Sequence, residues 1–412
     1  MPPAHVHRFS NGLTLLVEPM QGVRSAAMQI LVPAGSMHDL PTQRGMSNVI
    51  SEMTLRGAGT RDSRELTNAL DLLGLQRSMS VAVYHARYSA AAVASKVLDS
   101  IPIYADIMQR PHMTADDFDA SRDLAEQSLV GLDDDPRTKS LIYLREKHWP
   151  APEGLNTMGT AEGLASITLP TALEAFSNTY HAGDTIIALA GDVKIDDVVQ
   201  RVGSAFESWK TGPKISTSAV SNGTGVHFIE QPSEQTHIAI AYPTFPEMTD
   251  EYYIARVSAE VLSGGMSGRL FTEVREKRGL CYSVGVSYGS LRGRASMLGY
   301  AGTSNERAQA TLDCFLGELR RFSDGVTQAE LDRAKIGLKA SVVMSGESTS
   351  ARAGAIASDF FFLGRPRPLE EITAMIDLVN LDDTNVFLKA NPAGPFTIVV
   401  LGPKPLEITA SI

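Results

Sequence analysis

Residues 66–83, LTNALDLLGLQRSMSVAV, and residues 270–287, LFTEVREKRGLCYSVGVS, carry one pattern twice: a helical segment that runs through Leu-Gly or Arg-Gly into a strand. The sequence around them repeats in the same order, at a separation of about 210 residues. Upstream, Leu13–Glu18 (LTLLVE) and Ala26–Pro33 (AAMQILVP) read as a strand pair, matched by VHFIEQ from Val226 and HIAIAYP from His237. A helix is expected after each pair, over Gly45–Arg56 and Tyr252–Leu262. Downstream, MTADDFDASRDLAEQSL from Met113 parallels VTQAELDRAKIGLKASV from Val326, with Thr114 and Thr327 placed as helix N-caps. Both halves close with an apolar strand that ends at a glycine, DTIIALAGD at Gly191 and FTIVVLGP at Gly402. A repeat this long is not a solenoid unit; it indicates a duplicated domain.

The Gly/Ser/Thr/Pro-rich stretch WKTGPKISTSAVSNGTG, Trp209–Gly225, separates the copies. This predicts a first domain over residues 1–210, a linker over 211–225 and a second domain over 226–412. Strands and helices mix without strict alternation. The expected fold class is therefore α+β: two homologous domains, each a mostly antiparallel sheet with helices packed on one face.

Composition narrows the function. With 43% apolar and 20% charged residues over 412 positions, and no apolar run of roughly 18, the chain reads as globular, not as a membrane span. A formal net charge of −10 repels a phosphate backbone, so nucleic acid is not an expected partner. Two cysteines, Cys281 and Cys314, argue against a disulfide scaffold or a multi-cysteine metal site. The opening MPPAHVHRFSNG has no basic start followed by an apolar core, which favours the cytoplasm; a processed periplasmic form would read the same.

Residues 45–61, GMSNVISEMTLRGAGTR, form an amphipathic segment of the kind that carries zinc in helix-borne peptidase sites. Such a site needs two histidines on one helix face and a carboxylate beside them to deprotonate a metal-bound water. In context (PAGSMHD from Pro33, QRGMSNVISEM from Gln43, the LRGAGTR turn from Leu55) the sequence resembles the pitrilysin/insulinase peptidases, which include the mitochondrial processing peptidase. The resemblance covers nearly the whole chain and implies a duplicated α+β fold with an inverted zinc motif, H-x-x-E-H. The motif residues differ. Asn48 stands at the first histidine, Ser51 at the general-base glutamate and Glu52 at the second histidine. The third ligand of the family, a downstream glutamate, corresponds to Gln127 or Ser128, with Glu126 adjacent. Catalytic zinc takes three His, Cys or carboxylate ligands, so no metal is expected in this chain.

A second motif is intact. LSGGMSGRLFTEVREKRGLCYSV, Leu262–Val284, resembles the substrate-binding segment of the family, in which an arginine and a tyrosine seven residues apart assist from the domain opposite the zinc; Arg275 and Tyr282 have that spacing. A guanidinium and a phenol are donors able to hold peptide carbonyls and a developing oxyanion. From spacing alone, Arg275 reads equally as part of an exposed REKR charge cluster and Tyr282 as a strand-packing residue. Gly264 and Gly265 open a glycine run that lacks the Gly-Lys-Ser/Thr and βαβ context of a phosphate loop, and it reads as a flexible turn at the mouth of a substrate chamber. Tyr282–Ser287 and Ser78–Val83 are expected edge strands, open to an added peptide. His5 and His7 read as surface or core residues, and Asp133–Asp135 as a solvated turn and helix stop.

Together these features lead to the expectation of a non-catalytic, substrate-binding subunit of a heteromeric zinc metalloendopeptidase. Its partner would be a homologous subunit with intact H-x-x-E-H holding the zinc, and its substrate a peptide. The alternative is a non-enzymatic peptide-binding or scaffold homodimer, comparable to the related core proteins of the respiratory bc1 complex. An active peptidase with an unrecognised site is a third reading.

Overall fold

A computed structural model describes residues 4–212 and 222–408, so most of the expected linker, residues 213–221, lies outside the described residues. Among the described residues there are thirteen strands. In the first half of the sequence they are β1 (His5–Arg8), β2 (Thr14–Pro19), β3 (Ser25–Val32), the two-residue pair β4 (Gly57–Ala58) and β5 (Arg61–Asp62), β6 (Gln76–Val81), β7 (Ala86–Val93) and β8 (Ile186–Gly191). The second half contributes β9 (Gly225–Glu230), β10 (Gln235–Thr244), β11 (Ser283–Leu291), β12 (Arg294–Ser304) and β13 (Thr397–Gly402). Between them run α1 (Met46–Met53), α2 (Ser63–Leu72), α3 (Ala94–Gln109), α4 (Ala115–Val130), α5 (Pro136–His148), α6 (Ala161–Ser166), α7 (Leu169–Thr179) and α8 (Ile195–Phe206). The later helices are α9 (Tyr252–Ser263), α10 (Ala308–Arg321), α11 (Gln328–Gly346), α12 (Thr349–Leu363), α13 (Leu369–Leu378) and α14 (Leu381–Ala390).

The duplication is explicit in the sheets. One has the order β1-β2-β8-β3-β7-β6 and the other β11-β12-β10-β13-β9. Read from opposite ends, β2-β8-β3-β7-β6 and β9-β13-β10-β12-β11 are the same arrangement, with β1 as an extra edge in the first. Even the single parallel pairing recurs, β2 with β8 and β13 with β9. The remaining pairs are antiparallel. β6 and β11 are edge strands, as the sequence predicts, although β6 ends at Val81, two residues before the predicted limit.

Alternation decides what each face buries. In the first sheet Leu15, Val17, Met28, Ile30 and Leu189 face the main core with α1 and α3. The other face, Leu16, Leu31, Ile186 and Ala188, packs against Ile356 and Ala357 of α12. Helices are therefore concentrated on one face, and a single helix covers the opposite one. In the second sheet Ile238, Ile240, Ile398 and Val400 face the corresponding core, while α5 packs on β10 and β13. Among the described residues the two compact units are accordingly discontinuous in sequence: 4–131, 156–212 and 344–368 belong to one, and 132–155, 222–343 and 369–408 to the other.

Polar groups fix these two covering helices. Arg352 of α12 makes two hydrogen bonds to the Glu18 carboxylate at 2.7 and 2.6 Å, with both side chains less than 5% exposed. His148, the last residue of α5, is fully buried; its Nδ1 lies 2.9 Å from Thr397 Oγ1 and its Nε2 2.7 Å from Ser296 Oγ. Burial lowers its pKa to about 4, so the ring is neutral at pH 7.

Candidate functional site

α1 begins where Gly45, at φ 103°, turns the chain into the helix, and a Cβ there would meet Leu164 Cδ2 at 2.5 Å. Asp39 supplies the N-terminal anion: its carboxylate accepts from Gly45 N (2.8 Å), Ser47 N (2.9 Å) and Ser47 Oγ (2.5 Å). Burial outweighs those bonds and pushes the Asp39 carboxyl up to about 6. Met46, Val49, Ile50 and Met53 anchor the inner face of the helix in the core.

Position by position, the metal motif has been put to other uses. Asn48 Nδ2 donates to Thr157 O at 2.5 Å. Ser51 is fully buried, its Oγ 3.0 Å from Tyr180 OH, which lies 2.7 Å from Tyr88 OH; Tyr88 OH is 2.9 Å from Thr54 Oγ1. Burial raises the Tyr180 hydroxyl well above the ordinary phenol range, and this sealed chain of hydroxyls holds no base. Glu52 is tied to Arg56, one turn on, at 3.1 Å. Asn48 and Glu52 share a cavity of about 150 Å³ with Met79 of β6, Met158 and four residues of α4: Ser121, Leu124, Ala125 and Ser128.

The α4 residues are spaced 3, 1 and 3 apart, which is one helix face. Of the three sequence candidates for a third ligand, Ser128 reaches the cavity. Gln127 and Glu126 are not on this face, and Glu126 lies 3.9 Å from Arg122 instead. Ser128 Oγ donates to Leu124 O at 2.8 Å. Ser121, whose hydroxyl is buried without a partner among the described residues, has no signal in the sequence, because only the helix phase reveals it. The donor set is one carboxylate, one amide and two hydroxyls. Among the described residues no group of three His, Cys, Asp or Glu side chains comes together. The residues present do not fit zinc.

The second motif differs in kind. Phe271–Glu276 forms a π-helical turn, an irregularity concentrated at functional sites. Arg275 lies on it, exposed, its guanidinium 4.8 Å from the centre of the Phe271 ring and without an ion pair among the described residues. Its basic neighbours are neutralised: Lys277 and Arg278 both bind Glu273, at 2.6 and 3.0 Å. Arg275 is thus not part of a mutually compensated charge cluster. Tyr282 is 65% exposed and is not a packing residue; its backbone N–H donates to Gly302 O at 3.0 Å, just before the edge strand β11. Gly264 closes α9 with its N–H on Glu260 O, and a Cβ there would meet that oxygen at 2.5 Å. Gly265 follows at φ 77° with open space around it, and Met266 is exposed. From the same helix end, Ser263 Oγ accepts the outward N–H of Val286 on β11 at 2.6 Å.

The weaker candidates have local roles. Asp135 starts α5, accepting from Thr138 N at 3.0 Å, and Asp133 pairs with Lys139 at 2.6 Å. The acidic run therefore opens a helix. His5 and His7 lie on β1 with stacked rings 6.4 Å apart. No helix among the described residues is long and apolar enough to cross a membrane.

A duplicated α+β chain with a helix-borne motif beside an edge strand in one copy, and an exposed Arg/Tyr pair beside the equivalent strand in the other, has the architecture of a two-domain metallopeptidase. Residues 15–161 match the family described as Insulinase (Peptidase family M16), and residues 166–338 match Peptidase M16 inactive domain. The chain belongs to the M16 peptidase family. It is 26% identical to an uncharacterized zinc protease of Rickettsia felis, with 98% of each chain covered. In structure it is similar to a peptidase M16 inactive domain from Pseudomonas fluorescens (TM-score 0.87, 21% identity, 98% and 99% of the two chains covered). It is also similar to a protease from Helicobacter pylori (TM-score 0.88, 19% identity, 98% and 100% covered).

Proposed function

We propose that this chain is the non-catalytic, substrate-binding subunit of a heteromeric zinc metalloendopeptidase, with zinc held by a homologous partner that carries H-x-x-E-H. The reading rests on an asymmetry. At the metal positions every side chain is engaged in holding the fold: Asn48 on a backbone carbonyl, Ser51 in a sealed hydroxyl network, Glu52 on Arg56. At the opposite motif, Arg275 and Tyr282 are exposed with no side-chain hydrogen-bond partner among the described residues. Loss of both sets is the expectation for a chain free of catalytic constraint; retention of one set free for use fits a division of labour.

In this scheme the chain's own residues bind and orient. An extended peptide adds to the edge of β6, or of β11 away from Val286, whose outward N–H Ser263 holds, through backbone hydrogen bonds, and Arg275 and Tyr282 donate to its carbonyl oxygens and to the oxyanion formed on cleavage. A charge-assisted hydrogen bond contributes about 1.5–3 kcal/mol, so Arg275→Ala with Tyr282→Phe is expected to lower turnover of the assembled enzyme at least tenfold. The test is to purify the chain alone and with an H-x-x-E-H partner, then measure metal content and peptide hydrolysis. Stoichiometric zinc and hydrolysis by this chain alone would sink the proposal. A scaffold homodimer differs in one result: the double substitution then leaves its complexes and their activity unchanged.

A further inference from the structure

The second unit contains a cavity of about 440 Å³ that the peptidase reading does not use. Its deep wall is built by Tyr242 of β10, Ser258 of α9, Met297 of β12, Phe322 after α10 and Leu388 of α14, all buried, with Phe387 nearer the mouth. The Phe245 and Phe387 rings lie together, centres 5.3 Å apart and tilted at 59° to each other. No Asp, Glu, Lys, Arg or His lines it. Two hydroxyls do. Ser258 Oγ is buried with no hydrogen-bond partner among the described residues, an arrangement that costs stability unless something fills it. The Tyr242 hydroxyl likewise has no hydrogen bond to a described residue, and burial raises its pKa.

The helix ends that border the cavity also border an opening in the first unit. In the first unit a cleft of about 520 Å³ opens where the ends of α3 and α7, the counterparts of α10 and α14, meet, but residues 208–212 after α8 line it in place of a wall of sheet and helix residues. That copy is lined by Arg110, His181 and Lys210. The duplicated architecture thus leaves an opening in each unit, and divergence has made one charged and the other neutral and aromatic.

We infer that the cavity between β10, α9 and α14 binds an uncharged one- or two-ring molecule whose hydroxyl or carbonyl hydrogen-bonds Ser258 and Tyr242. The absence of charge on the walls excludes anions and cations as preferred occupants, because nothing would compensate their desolvation. The aromatic and methionine lining favours a flat ring over an alkyl chain. A volume of a few hundred Å³ with few polar groups is typical of small-molecule sites. The unpaired hydroxyls fix the orientation.

The test uses 2-naphthol and naphthalene as probes of the full chain, by ligand-observed NMR and isothermal titration. Naphthol is expected to saturate one site per chain and to bind about tenfold more tightly than naphthalene, the value of one buried hydrogen bond. Ser258→Ala should erase most of that difference while leaving naphthalene binding intact. Ala393→Trp, at the partly exposed mouth, should block both probes, with thermal denaturation confirming that the variant stays folded although Ala393 also borders the core. Non-saturable naphthol binding, or saturable binding that Ala393→Trp leaves unchanged, overturns the inference. So does a peptide bearing a single phenylalanine that competes at this site while naphthol does not. Because Arg275 and Tyr282 are untouched by these variants, a negative result here leaves the peptidase-subunit reading standing.

Discussion

Rebuilding the metal site separates metal binding from catalysis. Asn48 and Glu52 lie one helical turn apart and share a cavity with Ser128 of α4, so Asn48→His, Glu52→His and Ser128→Glu together place two imidazoles and a carboxylate on two packed helices. The substitutions remove the bonds from Asn48 to Thr157 O and from Ser128 to Leu124 O and one partly exposed ion pair, each worth on the order of 1 kcal/mol. With free zinc at 100 times its dissociation constant, binding to the folded state adds about 2.7 kcal/mol. For a unit of this size that raises Tm by roughly 5–10 °C. Hydrolysis should not return. The missing base position is Ser51, which is fully buried and bonded to Tyr180, so adding Ser51→Glu overpacks a sealed pocket at a cost of about 1–3 kcal/mol before any charge is considered. The assay is thermal denaturation with and without zinc, alongside metal content after dialysis. A triple variant with no zinc-dependent rise, or an unmodified chain showing the same rise, would refute the assignment of these positions.

Arg352→Met should cost about 3–5 kcal/mol in urea denaturation by stranding the buried Glu18 carboxylate, and adding Glu18→Leu should recover most of it; a loss under about 1 kcal/mol would show the pair to be dispensable. His148 titrates in the folded state near 4, below its unfolded value of 6.5. Only the unfolded chain gains that proton as pH falls from 6.5 to 4, so stability is complete above 6.5 and declines by on the order of 3 kcal/mol by pH 4. Denaturation of His148→Gln across this range should show a shallower slope than the parent; equal slopes would place the acid sensitivity elsewhere. Tyr180→Phe leaves the Ser51 hydroxyl unpaired and is expected to destabilise by about 1–3 kcal/mol, read as a shift in urea midpoint at constant m; an unchanged midpoint would mean Ser51 finds another partner.

The site was legible where its geometry is local. Positions 48, 51 and 52 could be placed on one helix from sequence because spacing within a helix fixes direction. The choice among Glu126, Gln127 and Ser128 could not, since it depends on the phase at which α4 meets α1. Spacing also left Arg275 and Tyr282 open between a surface cluster and a binding pair. Only the fold shows that Glu273 is already occupied by Lys277 and Arg278, leaving Arg275 outside that network. The Tyr88–Tyr180–Ser51 chain, drawing on residues 129 positions apart, has no sequence signal at all.

The duplication was readable because the periodicity of each strand and helix is set by its own residues. Strands such as β2, β8 and β13 are apolar on both faces, which requires a cover on each side. Which helix provides the outer cover is a non-local matter. α12 reaches the first sheet from the far half of the chain, and the polar contact that fixes it joins Glu18 to Arg352 across 334 positions. A buried glutamate at the end of an apolar strand demands a cation, yet with 37 lysines and arginines the sequence does not say which. The same holds for α5 on the second sheet, where His148 meets Thr397 across 249 positions. Each sheet is therefore closed by a helix contributed from the opposite half of the sequence, and the residues that secure it are buried polar groups whose removal is felt as stability, not as a change of motif.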